Sequence, residues 1–101
     1  MPAGTTEIRA QVPVMRQVLG ALRAAFDSTC TALARECVVA GRLDPASLDR
    51  HQVAAFELAW AGADLLAAET FVGALADDAP PLRTALALLY GVEAACDVQA
   101  R

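Results

Sequence analysis

The most constraining feature of this chain is a long stretch, residues 45–76, that is apolar on most sides and has no proline after its first position. Asp44 can cap the free amides of a helix that begins there, and Pro45 suits the first turn. Its polar side reduces to little beyond Arg50, Glu57 and Asp64. A helix that is apolar around most of its circumference must be surrounded by other protein. The stretch therefore predicts a central packing helix.

Two further helices are predicted beside it. The first covers 13–40, begins at Pro13 and ends before Gly41, which is expected to adopt a left-handed conformation. Residues 1–11 are predicted to be a flexible leader. The third helix covers 81–99 and follows the turn at Asp77–Pro81. The expected apolar sides are Met15, Leu19, Leu22, Phe26 and Leu33 in the first helix, and Leu82, Leu86, Leu89, Val92 or Glu93, and Cys96 in the third.

The composition agrees with a helical fold. Hydrophobic residues make up 56% of the chain, and much of the excess is alanine. Alanine is the best helix former and has a small side chain, so helices can pack closely. Strand-like alternation of useful length is missing. We predict an all-α single domain over 12–101, an antiparallel helical hairpin or bundle of about three helices, completed by another subunit or domain.

The charge pattern excludes several classes of partner. The net charge is −4, and the arginines are scattered along the chain. Phosphate binding needs clustered basic residues, so neither a nucleic acid nor an acidic membrane surface is an expected partner. The longest apolar run, 84–92, is about half the length of a membrane-spanning helix. We therefore expect a soluble cytoplasmic protein. Its cysteines, Cys30, Cys37 and Cys96, are expected to be reduced and buried.

His51, the single histidine, is the natural candidate for chemistry. A bundle di-iron site needs glutamate three residues before it, where this chain has Leu48. No zinc-ligand spacing or phosphate-binding glycine loop is present, and the pair Asp77–Asp78 is best explained as a turn. We therefore predict no catalytic, cofactor-binding or metal-binding residue in this chain, and we interpret His51 as a helix-surface or interface residue.

Two apolar stripes on the central helix predict an association surface. One contains Leu48, Ala55, Leu58, Gly62, Leu65 and Leu66, and either stripe can be the internal one. A three-helix unit buries one stripe, so the other must be covered by a second copy or by a further part of the polypeptide. The simplest expectation is a two-fold dimer with paired central helices. The predicted interface residues are His51, Phe56, Trp60, Ala63, Ala67 and Phe71.

The segment HQVAAFELAWAGADLLAAE, His51 to Glu69, resembles a helix in the N-terminal extension of acyl-CoA dehydrogenases of the methylsuccinyl-CoA dehydrogenase type. The preceding 41–45 and the later LALLYGVEAA, 86–95, are similar to the lead-in and following helix of that extension. The resemblance covers roughly residues 15–101. Where such extensions carry Leu-Ala-Trp-Leu-Ala-Thr, this chain has Leu58-Ala-Trp-Ala-Gly-Ala63.

The resemblance implies an accessory domain of a flavoenzyme that uses FAD to desaturate an acyl-CoA between its α and β carbons. In that family the flavin, the acyl-CoA pocket and the catalytic glutamate belong to a later region, so no catalytic role is assigned to a residue here. Two alternatives remain open. One is a free-standing dimerisation module without activity, and the other is a small-molecule binder with a pocket around Trp60 and His51. The third helix reaches Arg101 without a glycine or proline stop, which favours a longer parent polypeptide.

Overall fold

The computed structural model describes residues 3–101, with side chains described from Glu7 onward. Over this range the chain forms helices α1 (Ala3–Cys37), α2 (Pro45–Arg50), α3 (Gln52–Gly73) and α4 (Pro81–Ala100), and strands β1 (Val38–Val39) and β2 (Arg42–Leu43). The long helices α1, α3 and α4 pack as an antiparallel up-down-up bundle that measures 61 × 20 × 16 Å. The predicted all-α class is confirmed.

The first helix begins earlier than the sequence indicates. α1 starts at Ala3 rather than near Pro13, so the predicted leader 1–11 is wrong from Ala3 onward, whereas residues 1–2 lie outside the described range. The added turns are held by tertiary contact, because the Arg9 guanidinium donates to the Ala79 carbonyl at 3.3 Å. Further along, Arg16 donates to the Leu75 carbonyl at 3.3 Å. Contacts of this kind compensate for weak local periodicity.

A small hairpin replaces the last predicted turn of the first helix. α1 ends at Cys37, and β1 pairs with β2 in antiparallel register. Ala40 and Gly41 both have positive φ, 53° and 77°, as a two-residue hairpin turn of type I′ requires. The left-handed Gly41 is confirmed, but it closes a hairpin and does not cap a helix. The expectation that the chain contains no strand is corrected by these short pairs.

The predicted helix 45–76 divides at His51 into α2 and α3. Its start is as predicted, because the Asp44 carboxylate accepts from the Ser47 amide at 3.1 Å and from the Ser47 hydroxyl at 2.7 Å. The His51 amide is shared between the carbonyls of Ser47 and Leu48, and its φ of −103° and ψ of 14° leave the helical range. The Asp44 amide donates to the Cys37 carbonyl at 2.7 Å, so α2 is tied to the end of α1.

The core between the long helices is built largely from small side chains. Met15 and Leu19 of α1 are buried against Leu65 and Val72 of α3, as the α1 periodicity predicts. α4 comes so close to α1 that a Cβ added at Gly91 would lie 2.9 Å from the Met15 sulfur. The buried residues of α4 are Thr84, Ala87, Gly91, Ala94 and Ala95.

The buried side of α4 is the opposite of the predicted one. Leu82 and Leu89 are 72% and 66% exposed, and Leu86, Val92 and Cys96 also face outward. Small residues face inward because α4 approaches α1 and α3 too closely for leucine. The three cysteines are free thiols, of which Cys37 alone is buried, so the expectation of buried cysteines was wrong for Cys96. Within residues 3–101, none of the helices is long and apolar enough to cross a membrane.

Gly62 and Gly20 provide a matched test of this close packing. A Cβ added at Gly62 would lie 2.8 Å from the Phe26 ring, whereas one at Gly20 meets nothing within 4 Å. We expect Gly20→Ala to stabilise the helix by about 0.5–1 kcal/mol. Gly62→Ala should instead be less stable than Gly20→Ala by roughly 1–3 kcal/mol, because the ring must move. Chemical denaturation measures the free energy of unfolding of both variants. Equal values would show that the contact between Gly62 and the Phe26 ring is loose.

The Asp44 cap predicts a dependence of stability on acid. Hydrogen bonds from the Ser47 hydroxyl and amide lower the pKa of Asp44 below its ordinary value of 3.8. A lowered folded-state pKa gives stabilisation that is present above pH 3.8 and is lost as the pH falls through the folded pKa. Asp44→Asn keeps an acceptor that does not titrate. The melting temperature of the wild type should therefore fall further than that of Asp44→Asn below pH 3.8, and parallel curves would contradict this assignment.

Candidate functional site

The fold buries one of the two stripes of the central helix and exposes the other. Leu65 is buried, and Ala55, Leu58 and Gly62 are partly buried, so their stripe is the internal one. Leu48 lies on α2 and is exposed. The other stripe faces outward: Phe56, Trp60 and Phe71 are 60%, 50% and 45% exposed, and Ala63 and Ala67 are exposed between them.

The carboxylates of α3 are all paired with arginines of neighbouring helices. Arg101, which follows α4, lies 2.9 Å from Glu57 Oε2 and 3.6 Å from Asp64 Oδ2. Arg23 of α1 donates from Nε to Glu69 Oε2 at 3.1 Å and from Nη2 to Oε1. This hydrogen bonding raises the pKa of the Arg23 guanidinium. The negative charges are thus held toward α1 and α4 rather than on the outward face.

The outward face of α3 is therefore mainly apolar between Gln52 and Gly73, with the partly exposed Glu57 carboxylate paired with Arg101. Its other exposed polar side chains are Gln52 and Thr70, and the Thr70 hydroxyl already donates to the Leu66 carbonyl at 2.8 Å. An apolar helix face of this length is typical of a surface that other protein covers.

Phe56 and Trp60 form an aromatic ridge on the first half of this face. Their rings meet edge to face with centroids 6.3 Å apart, a favourable aromatic geometry. The Arg101 guanidinium lies 5.9 Å from the Trp60 ring centroid and limits its movement on the α4 side. Phe71 lies on the second half, where it contacts Tyr90 of α4 with centroids 5.8 Å apart.

The second half of the face contains a shallow alanine depression of about 730 Å³. Ala63, Ala67 and Ala74 line it, and Leu66 and Phe71 are the large apolar side chains beside them. Thr70, Leu75 and Arg83 complete the lining. The ridge and the depression thus follow one another along a single apolar face, here called the α3 face, whose lining includes no carboxylate and one basic residue, Arg83.

His51 does not join the α3 face. Its Nε2 lies 3.2 Å from Glu36 Oε2 at the end of α1, and its side chain is 32% exposed. It lines a groove of about 970 Å³ between α1 and α3 that does not include Trp60. The groove therefore does not bring His51 together with Trp60, as the small-molecule alternative requires. His51 lies apart from the other predicted interface residues, and its part in an interface stays a prediction.

The groove offers few free polar groups to a ligand. Its apolar lining includes Phe26 and Leu58, and its histidine and Arg101 are paired with Glu36 and Glu57. Among side chains from Glu7 to Arg101, no group of three histidine, cysteine or acidic residues could hold a metal ion. A ligand site usually presents several convergent polar groups.

The starts of α2 and α3 do not fit the pyrophosphate of a flavin. Dinucleotide phosphates bind at helix starts whose amides are free. The α2 start is occupied by the Asp44 carboxylate, and α3 continues directly from α2. The resemblance assigns the flavin to a later region of the parent enzyme, so these starts are given no role in binding it.

No family model, curated protein or solved structure matches this chain.

Several residues of the α3 face escaped the sequence prediction. Leu66 was predicted on the other stripe, which proves to be the internal one, but it is 61% exposed and lies on the outward face. Ala74 could have been found by extending the predicted stripe, because it caps the end of α3. Tyr90 and Arg101 could not, because their place beside Phe71 and Trp60 depends on how α4 pairs with α3.

The place of His51 outside the α3 face can be tested by mutation. We expect His51→Ala to lose a partly exposed polar contact with Glu36 worth at most about 1 kcal/mol. Glu36→Gln should have a similar effect, because it removes the same pair. Neither change should alter self-association measured by sedimentation, since the pair lies away from the α3 face. A loss of association in His51→Ala with the fold intact would return His51 to the interface.

Proposed function

We propose that this protein is an accessory helical domain that works through packing and association and performs no chemistry itself. The observation that carries this proposal is the α3 face, where exposed aromatic and aliphatic side chains lie on a surface without an unpaired carboxylate. A soluble chain that left such a surface uncovered would tend to aggregate. A soluble, cytoplasmic setting is part of the proposal.

The proposed parent activity is that of an acyl-CoA dehydrogenase-like flavoenzyme. Support comes from the resemblance of His51–Glu69 to the helical extension of such enzymes. FAD would be bound by another region of that enzyme and would accept hydride from the acyl-CoA. This chain would contribute surface for packing and assembly. A free-standing dimerisation module is the alternative, and the α3 face supports it equally.

The two forms of the proposal differ in the polypeptide that cells contain. An antibody raised against this chain can be used to purify the native protein from its source, followed by mass measurement and flavin analysis. The accessory-domain form predicts a larger polypeptide with bound flavin. A flavin-free polypeptide of 10.5 kDa would exclude that form and favour the free-standing module.

Association through the α3 face predicts a specific response to charge. The mass of the wild-type chain in sedimentation should rise with concentration from 10.5 kDa toward about twice that value, as expected for a two-fold dimer. Trp60→Glu should stay monomeric and folded, because a carboxylate would lose its water in the interface while the half-exposed site tolerates it in the monomer.

Leu89→Glu is the matched control, because Leu89 is also an exposed apolar residue but lies on the outer side of α4. It should associate like the wild type. A folded wild-type monomer at all concentrations would contradict the proposed association, and equal losses in both variants would move it away from the α3 face.

A further inference from the structure

We infer that the α3 face binds a second copy of this chain, with the two α3 helices antiparallel about a two-fold axis that passes beside Ala63. The inference rests on the proposed function and adds the identity and register of the partner. It follows from the order of the ridge and the depression along α3.

The α3 face is complementary to itself only in the antiparallel direction. The aromatic ridge lies before Ala63 and the alanine depression mainly after it. Trp60 and Ala67 lie at nearly equal distances on either side of Ala63, as do Phe56 and Phe71. Antiparallel pairing therefore places Trp60 of each copy over Ala67 of the other, a large side chain over a small one, and brings Phe56 beside Phe71 of the other copy at each end of the contact. Parallel pairing places ridge against ridge and leaves both depressions empty.

The charge distribution also favours a second copy on this face. Each copy carries a net charge of −4, so most approaches bring like charges together. The α3 face carries none of that negative charge, because Glu57 and Glu69 are paired with Arg101 and Arg23, and Asp64 Oδ2 lies 3.6 Å from Arg101. The charged residue in its lining is the basic Arg83. Two copies can therefore meet there without bringing their carboxylates together, which would oppose association.

The exposed area is sufficient for a reversible dimer. Phe56, Trp60, Leu66 and Phe71 are each 45–61% exposed, which corresponds to on the order of 100 Å² per side chain. With the alanines between them, each copy would bury roughly 600 Å², so the dimer would bury about 1,200 Å², the lower end of specific interfaces. The dimer should therefore dissociate on dilution.

Cysteine cross-linking tests this register. The background variant Cys30→Ala/Cys96→Ala keeps only Cys37, which is 2% exposed. Sedimentation first establishes that this background associates like the wild type. Ala63→Cys is then compared with Ala74→Cys, a control that replaces another exposed alanine on the same face. Both are oxidised with glutathione disulfide at concentrations where the background is dimeric, and circular dichroism checks their folds.

In the inferred dimer, Ala63 lies beside the two-fold axis, so it is the position of the two that lies close to the same residue of the other copy. A disulfide requires Cα atoms within about 7 Å, whereas the two Ala74 positions would lie ~30 Å apart along the helices at 1.5 Å per residue. Ala63→Cys should therefore cross-link at least about tenfold faster than Ala74→Cys, which cannot reach its own copy.

The remaining outcomes separate the register from the proposed function. Similar cross-linking at both positions would indicate parallel or unspecific pairing and would overturn the inference. A dimer by sedimentation that cross-links at neither position would also overturn it, while association itself would stand. A monomeric wild-type chain would overturn both.

Discussion

The structure depends on how closely α1 approaches the other two long helices. Phe26 lies on Gly62 and Met15 lies on Gly91, at distances that leave no room for an added methyl group. Alanines fill much of the remaining core, so the space between the helices is narrow. Large apolar side chains have few places inside such a core and lie on the surface instead. The exposed aromatic residues of α3 and the exposed leucines of α4 share this cause.

The short separation between the long helices also explains which parts of the fold could be predicted. Helix starts and apolar periodicity are local properties, so the Asp44 cap, the α1 stripe and the presence of three long helices could be read from the sequence. The orientation of α4 could not, because hydrophobicity alone places Leu82 and Leu89 inside. Alanine is buried in place of leucine because the helices lie close together, and this separation is a property of the assembled bundle. The break at His51 likewise depends on α2 being tied to the end of α1.

The candidate site, too, could be predicted only in part. The outward stripe from Phe56 to Phe71 was visible as a helical pattern, although the pattern did not say which stripe faces the core. The absence of free carboxylates on the α3 face was not visible, because α3 itself contains Glu57, Asp64 and Glu69. Their partners are supplied from other parts of the chain, by Arg101 and Arg23.

The pairing of the α3 carboxylates therefore belongs to the folded bundle and not to the helix that carries them. While α4 is undocked, Glu57 and Asp64 lack Arg101, and two free carboxylates stand beside Trp60. Docking of α4 brings one guanidinium close to both carboxylates and to the Trp60 ring. The apolar stripe of α3 is thus free of unpaired negative charge at its side only when Arg101 is in place.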